Sequence, residues 1–457
     1  MAPVILAGAA VAILVAWFVW QSTERGTVFR GAVLGLTLSF CYWYFLPAVN
    51  VFLIGFETDQ IEAGPAFVRQ AFLIAVAYMS AALLGLLVMF SSFRVPTLGD
   101  STQQASMYLP PVRRLQRQAF VTVLSALGLL ASRFGTDGTE LILQIVTGET
   151  SARANMEYYN VSSGILSSLD GLWEIINIAS CTFLLCLCTT LRQSLGMTRN
   201  LAVLALLVMF VASGSRSMIV YALVAGLLAR SMRPPPTDSV AAGGKRGRWA
   251  PLAATVLLAA AAAAAIASFG SRFENYEFGM ASAVLGMLFN HNDMLRELAS
   301  VLSSLDQYRH APFFDFALTP FTFLLPRFLG FDKDIPDHLV RYNLDRMGID
   351  IRVDPGNYFP GLVADFLMVF GTWGGVIAFA AFACAVTVAT AWLGRAVSHR
   401  VPATALAAST LGLLFVSFRN IPGSFALSAL IFAAFAILAA PKRTASNASL
   451  ENTNGSF

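Results

Sequence analysis

Long apolar runs separated by short polar connectors fill most of this chain, and no other feature limits its fold so tightly. A run of about 20 apolar residues closes its own backbone hydrogen bonds as a helix and just crosses a hydrocarbon layer of about 30 Å. Eleven spans are expected on this basis, near 3–20, 31–55, 71–90, 117–132, 172–190, 200–214, 216–230, 250–269, 372–394, 403–418 and 421–440. With 57% hydrophobic and 12% charged residues, the 457-residue chain is too poor in polar groups to cover a soluble globule. Its mean hydropathy of +0.67 agrees. The expected class is all-α, a polytopic transmembrane helical protein. The first run shows neither a basic leader segment nor a small-residue cleavage site, so it is expected to stay as a span.

Charge decides which connectors share a face. The connectors 21–30, 91–118, 191–200, 230–249 and 395–402, with the tail from Pro441, hold 17 of the 30 Lys and Arg but only four of the 26 acids. By the positive-inside tendency this set is cytoplasmic. The expected organisation is then N-terminal spans in 1–132, an outer loop at 133–171 and central spans in 172–270 broken by a cytoplasmic linker at 231–249. A large outer loop at 271–361, C-terminal spans in 362–440 and a cytoplasmic tail at 441–457 complete it. The linker is Pro-rich and then Gly- and charge-rich, and the tail is polar and of low complexity, so both are expected to lack packed structure.

The large outer loop is too polar to cross a bilayer, yet it contains one apolar run, 311–331. That run carries Pro312, Asp315, Pro320, Pro326 and Arg327, and a crossing there would strand Arg395 and Arg400 on the outer face. It is read instead as one or two helices lying in the outer interface. Upstream, Leu295, Leu298, Val301, Leu302 and Leu305 recur at helical spacing, with His291, Asp293, Arg296, Glu297 and Ser300 among and opposite them. This is the pattern of an amphipathic helix resting on an apolar surface.

Several function classes are excluded by what the chain lacks. There is no phosphate-binding GxxxxGK[ST] loop, no GxGxxG after a strand and no internal repeat, so neither nucleotide hydrolysis nor nucleic-acid binding is expected. Cys41, Cys181, Cys186, Cys188 and Cys384 all fall in apolar runs without CxxC spacing, which points to packed thiols. No cofactor or metal site is expected.

Arginine on the outer side is the chemically suggestive feature. A guanidinium keeps its charge at a membrane surface and grips phosphate with a planar, bidentate fork, which suits a lipid diphosphate. Arg153, Arg216, Arg272, Arg296, Arg327, Arg346 and Arg352 all fall outside. Pairing with outer carboxylates would explain any one of them. Arg216, in SGSRS between two short apolar runs, is harder to explain so, because an unpaired charge at the tip of a tight helical hairpin is costly.

Three phrases carry a resemblance: SGSRSMIVYAL at 213–223, TPFTFLLPRFLGFDKD at 319–334 and PGLVADFLMVFGTWGG at 360–375. They resemble motifs of the bacterial oligosaccharide repeat-unit polymerases, the Wzy-type O-antigen polymerases, which belong with the O-antigen ligases in a GT-C-like membrane superfamily. Arg327 and Lys333 match a Pro-Arg step followed by a Lys. Asp365 stands six residues before Gly371, where the family usually has Glu, and Arg153 followed by Gly164 is similar to an R-x10-G pattern of which no clean second copy occurs. The resemblance implies about twelve spans, large periplasmic loops and a bacterial inner-membrane location with the active site facing the periplasm. It also implies an undecaprenyl-diphosphate-linked oligosaccharide as both donor and acceptor, a surrounding of membrane lipids, and a chain-length regulator protein as a further partner. Arg153, Arg216, Arg296, Arg327, Arg352, Lys333 and Tyr358 are then candidates for holding the diphosphate and glycan. Arginine takes the part a metal ion plays elsewhere, so the implied enzyme is metal-independent.

A diphosphate leaves readily once neutralised, so one base suffices. Two residues compete for it. His291, in FNHND, has the apt unperturbed pKa near 6.5, and Asp293 could orient it. Asp365 has the family position but could equally cap the helix beginning beside it. The reading leans to Asp365, with His291 positioning the acceptor or diphosphate. Other functions stay open at this level: an O-antigen ligase with the same donor, an enzyme using a monosaccharide phospholipid through the acidic pair Glu57 and Asp59, and a non-enzymatic lipid or glycan transporter. The topology has a direct check. In a background without the native cysteines, a single Cys at Ser303 or Asp337 is expected to react with an impermeant thiol reagent from outside. Labelling at Gly244 in place of those sites would overturn the orientation.

Overall fold

The computed structural model describes residues 2–22, 27–49, 51–52, 64–92, 112–134, 170–190, 205, 216–232, 294–308, 342, 344, 361–397, 400–417 and 431–437. No strand occurs among them. The helices are α1 (Ala2–Ser22), α2 (Val28–Phe40), a π-helical turn (Cys41–Phe45), α3 (Leu46–Val49), α4 (Pro65–Ser92) and α5 (Val112–Phe134). They continue with α6 (Asp170–Thr190), α7 (Arg216–Ser231), α8 (Met294–Ser303), α9 (Leu305–Tyr308), α10 (Leu362–Ala396) and α11 (Arg400–Ser417). All but residue 205 of the span expected at 200–214, the span expected at 250–269, most of the cytoplasmic linker, the tail and most of the two outer loops lie outside the described residues.

By length and composition, three helical stretches can cross a membrane: Val28–Val49, Pro65–Ser92 and Leu362–Arg395. Shorter apolar helices cover Ala7–Ser22, Ile175–Thr190, Tyr221–Ser231 and Val401–Leu413. Several polar side chains inside these helices are satisfied locally or across one partner. Thr37 and Ser39 donate back to the carbonyls of Val33 and Gly35, each at 2.7 Å. Between α5 and α6, Gln118 donates to Ser180 at 3.4 Å, Thr122 bonds the same Ser180 hydroxyl, and Asn177 donates to Ser125 at 3.2 Å. These bonds fix an antiparallel register, as cross-helix polar contacts do where water is absent.

Helix directions sort the bundle into two ends. Phe29 meets Phe90 and Phe40 meets Phe72, so α2 and α4 run antiparallel. Gly31 lies against Met232 and Gly35 against Leu228, which makes α2 and α7 antiparallel too. Tyr78 faces Gly375 and Phe379 while Gly85 faces Cys384, so α4 and the later part of α10 run parallel. The start of α2 therefore shares one end with the finish of α4, α7 and α10. Arg30, Arg230 and Arg395 all sit there, Arg30 over the Trp20 ring at 3.9 Å and Arg395 over Trp392 at 5.6 Å.

The element α10 is not one rod. Gly371 breaks it with φ 69° and ψ −177°, a backbone region that glycine alone occupies at low cost. Past this point the chain doubles back: the Phe366 ring touches those of Phe379 and Phe382 at 5.7 and 5.6 Å. In a straight helix thirteen residues would separate Phe366 and Phe379 by about 20 Å. The first arm, Leu362–Phe370, thus lies folded beside the second, Thr372–Ala396. The second arm, about 36 Å long to Arg395, is by itself long enough to cross a membrane, and its start coincides with the expected span at 372–394. Trp373 and Trp392 on it are 80% and 66% exposed. They stand about 28 Å apart along the axis, matching the interfacial belts of a bilayer.

A Cβ at Gly371 would meet nothing within 4 Å, so substitution there strains only the backbone. Gly371→Ala is expected to lower stability in detergent by about 1–3 kcal/mol, with Gly64→Ala, also in open space, near zero. Equal unfolding midpoints for the two variants would contradict the break.

Candidate functional site

The first arm of α10 carries the one acidic candidate whose side chain is described. Asp365 is 4% exposed and lies in the first helical turn, where its amide bonds the Gly361 carbonyl at 3.0 Å. Gly361, at φ 86°, is the N-cap and brings no side chain to cap the helix. Asp365 lies four residues past this N-cap, inside the first helical turn. The doubling back at Gly371 presses the arm against the second arm and α4, and Asp365 is buried there. Near a helix start, the exposed N–H groups and the macrodipole favour a negative charge.

Two tyrosines close around the arm. Tyr78 of α4 is 0% exposed, and its ring packs on Phe379 at 5.5 Å. A Cβ built on Gly375 would collide with the Tyr78 hydroxyl and stand 2.9 Å from the Phe366 carbonyl oxygen. Glycine at 375 is what lets the arm, the rod and α4 meet there. Tyr44 is also buried and lies in electrostatic range of both Tyr78 and Asp365. It is set by the π-helical turn Cys41–Phe45, where the Leu46 amide bonds the Cys41 carbonyl and shifts the helix register by one residue.

The amphipathic helix expected around Leu295–Leu305 forms as α8 and covers this end of the bundle. It packs on α4, on α10, on the π-helical turn and on α3. Leu295, Leu298, Val301 and Leu302 are buried, together with Met294, Ala299 and Ser300. Arg296 and Glu297 are half-buried on its polar side, and Glu297 accepts a hydrogen bond from the buried hydroxyl of Tyr342. Helix α8 therefore ties the large loop to the same end that holds Asp365, opposite the Arg30 and Arg395 end.

Arg216 opens α7, its side chain lying outside the described residues. His291, Arg153, Arg327, Lys333, Arg352, Tyr358, Glu57 and Asp59 also lie outside them. Among the described residues no three His, Cys, Asp or Glu side chains gather as a metal site. Tyr44 and Tyr78 were not singled out in the sequence, although a hydroxyl within an apolar run is a visible signal. Chemically, a buried carboxylate flanked by phenols is suited to receive a proton from an alcohol. No protein family, curated protein or solved structure matches the chain.

Gly375→Ala is expected to destabilise the fold by about 1–3 kcal/mol through overpacking. Adding Tyr78→Phe should recover part of that loss, since the colliding hydroxyl is gone. A strictly additive double variant in SDS-titration unfolding would dissociate Gly375 from Tyr78.

Proposed function

We propose that this chain is a membrane glycosyltransferase that polymerises polyprenyl-diphosphate-linked oligosaccharide repeat units, working at the periplasmic face of a bacterial inner membrane. It resembles the Wzy-type polymerases in the residues quoted above. The observation that carries the reading is the place of the acid-x5-Gly phrase: Asp365 is buried on a short arm, and the glycine six residues on is the point where the arm turns back. That geometry gives the phrase a physical purpose. The arm lies at the bundle end covered by α8, away from the arginine-rich end. With about eleven crossings and the arginine end in the cytoplasm, the Asp365 end faces the periplasm.

In the reaction, a hydroxyl of the acceptor glycan attacks the anomeric carbon of the donor. The hydroxyl proton passes to the Asp365 carboxylate as the new glycosidic bond forms. The bond from the anomeric carbon to the diphosphate oxygen breaks, and the polyprenyl diphosphate leaves with the electron pair. Arg216 and Arg327, with Arg153, Arg296, Arg352 and Lys333, neutralise that leaving group. His291 and Tyr358 position glycan or diphosphate.

Asp365→Asn is expected to lower turnover of lipid-linked repeat units at least 100-fold while the protein still folds, because it keeps the shape and removes the proton acceptor. Arg216→Ala should be inactive, and Arg216→Lys should recover only part of the rate, having lost the bidentate fork. Turnover is read by gel ladders of lipid-linked glycan made by purified protein in nanodiscs. Near wild-type ladders from Asp365→Asn would remove Asp365 from the chemistry and return the assignment to His291.

A further inference from the structure

Within the membrane-spanning part of the bundle, a hydroxyl with no hydrogen-bond partner is expensive, costing about 1–3 kcal/mol by mutational measures. The Tyr78 hydroxyl is such a group: it is fully buried and no described residue accepts or donates to it. Thr37, Ser39, Thr189, Thr190 and Thr387 bond a carbonyl one turn back, an option open to Ser and Thr but not to the long, rigid phenol. Nor is its position incidental. It sits where Gly375 leaves room beside the Phe366 carbonyl, one residue from Asp365, and within electrostatic range of Tyr44.

Resting on the function proposed above, we propose that Tyr78 is an acceptor-binding residue of this site. Its phenol holds the attacking glycan hydroxyl by a hydrogen bond, beside the carboxylate that takes the proton. The arm Leu362–Phe370 encloses both groups between Gly361 and Gly371, each at a positive φ. Displacement of the arm about these two glycines uncovers Tyr78 and Asp365 together. The satisfied state of the phenol is then the ligand-bound one, and folding alone gains nothing from the hydroxyl.

That last point separates binding from a structural role. Tyr78→Phe keeps the ring that packs on Phe379 and removes only the oxygen. Its thermal midpoint in nanodiscs should equal or exceed that of the wild type. Its KM should rise about five- to tenfold, with kcat changed less than twofold. The probe is the lipid-linked glycan extracted from cells lacking this protein, with Asp365→Asn assayed alongside. A KM unchanged in Tyr78→Phe, or one raised together with a lowered thermal midpoint, overturns the assignment while the polymerase reading stands. No turnover of the extracted glycan by the wild-type protein overturns both.

Discussion

The contact between α4 and the second arm of α10, possible only because residue 375 has no side chain, sets most of what is distinctive here. It seats the Tyr78 phenol against the backbone of a neighbouring helix and leaves space for a third segment to lie in the same notch. The aromatic rings of Phe366, Phe379 and Phe382 then close over that segment. Small residues at helix crossings are the usual means of close approach inside a membrane, where burial of apolar surface offers little drive and dispersion contacts must be dense. At Gly375 the same device serves three chain segments at once.

Folding the first arm back has an electrostatic consequence. On a straight continuation of α10, Asp365 would stand away from the second arm, solvated and weakly oriented. Doubled back, it is buried next to Tyr44 and near Tyr78, with the first turn of its own helix offering N–H groups and a favourable dipole. A charged group taken out of water needs such surroundings to remain charged. Accepting a proton from a particular hydroxyl demands a carboxylate held in place rather than a freely solvated one.

The two ends of the bundle differ in kind. At one, Arg30, Arg230 and Arg395 lie at helix ends, and two of them rest on tryptophan rings. At the other, α8 lies over α4, α10 and the π-helical turn, with Glu297 bonded to Tyr342. The first arrangement rests charged groups on aromatic rings at helix ends. The second builds a covered site.

Much of the architecture was legible in the residues themselves. Apolar run lengths located α1, α2, α4, α6, α7 and the long rod of α10, because a helix closing its own hydrogen bonds needs no distant partner. The spacing of Leu295, Leu298, Val301 and Leu302 located α8 for the same local reason. The acid at 365 and the glycine at 371 could be picked out as a phrase, but its meaning could not: one glycine in a Gly-rich apolar run looks like any other, and whether it continues a helix or reverses it depends on what packs against both arms. The roles of Gly375, Tyr78 and Tyr44 are of that kind too. Run length and periodicity are properties of neighbouring residues, so the sequence by itself determined an all-helical chain with membrane-length segments; the burial of Asp365 and its company came from contacts between segments hundreds of residues apart, and only the tertiary structure could decide them.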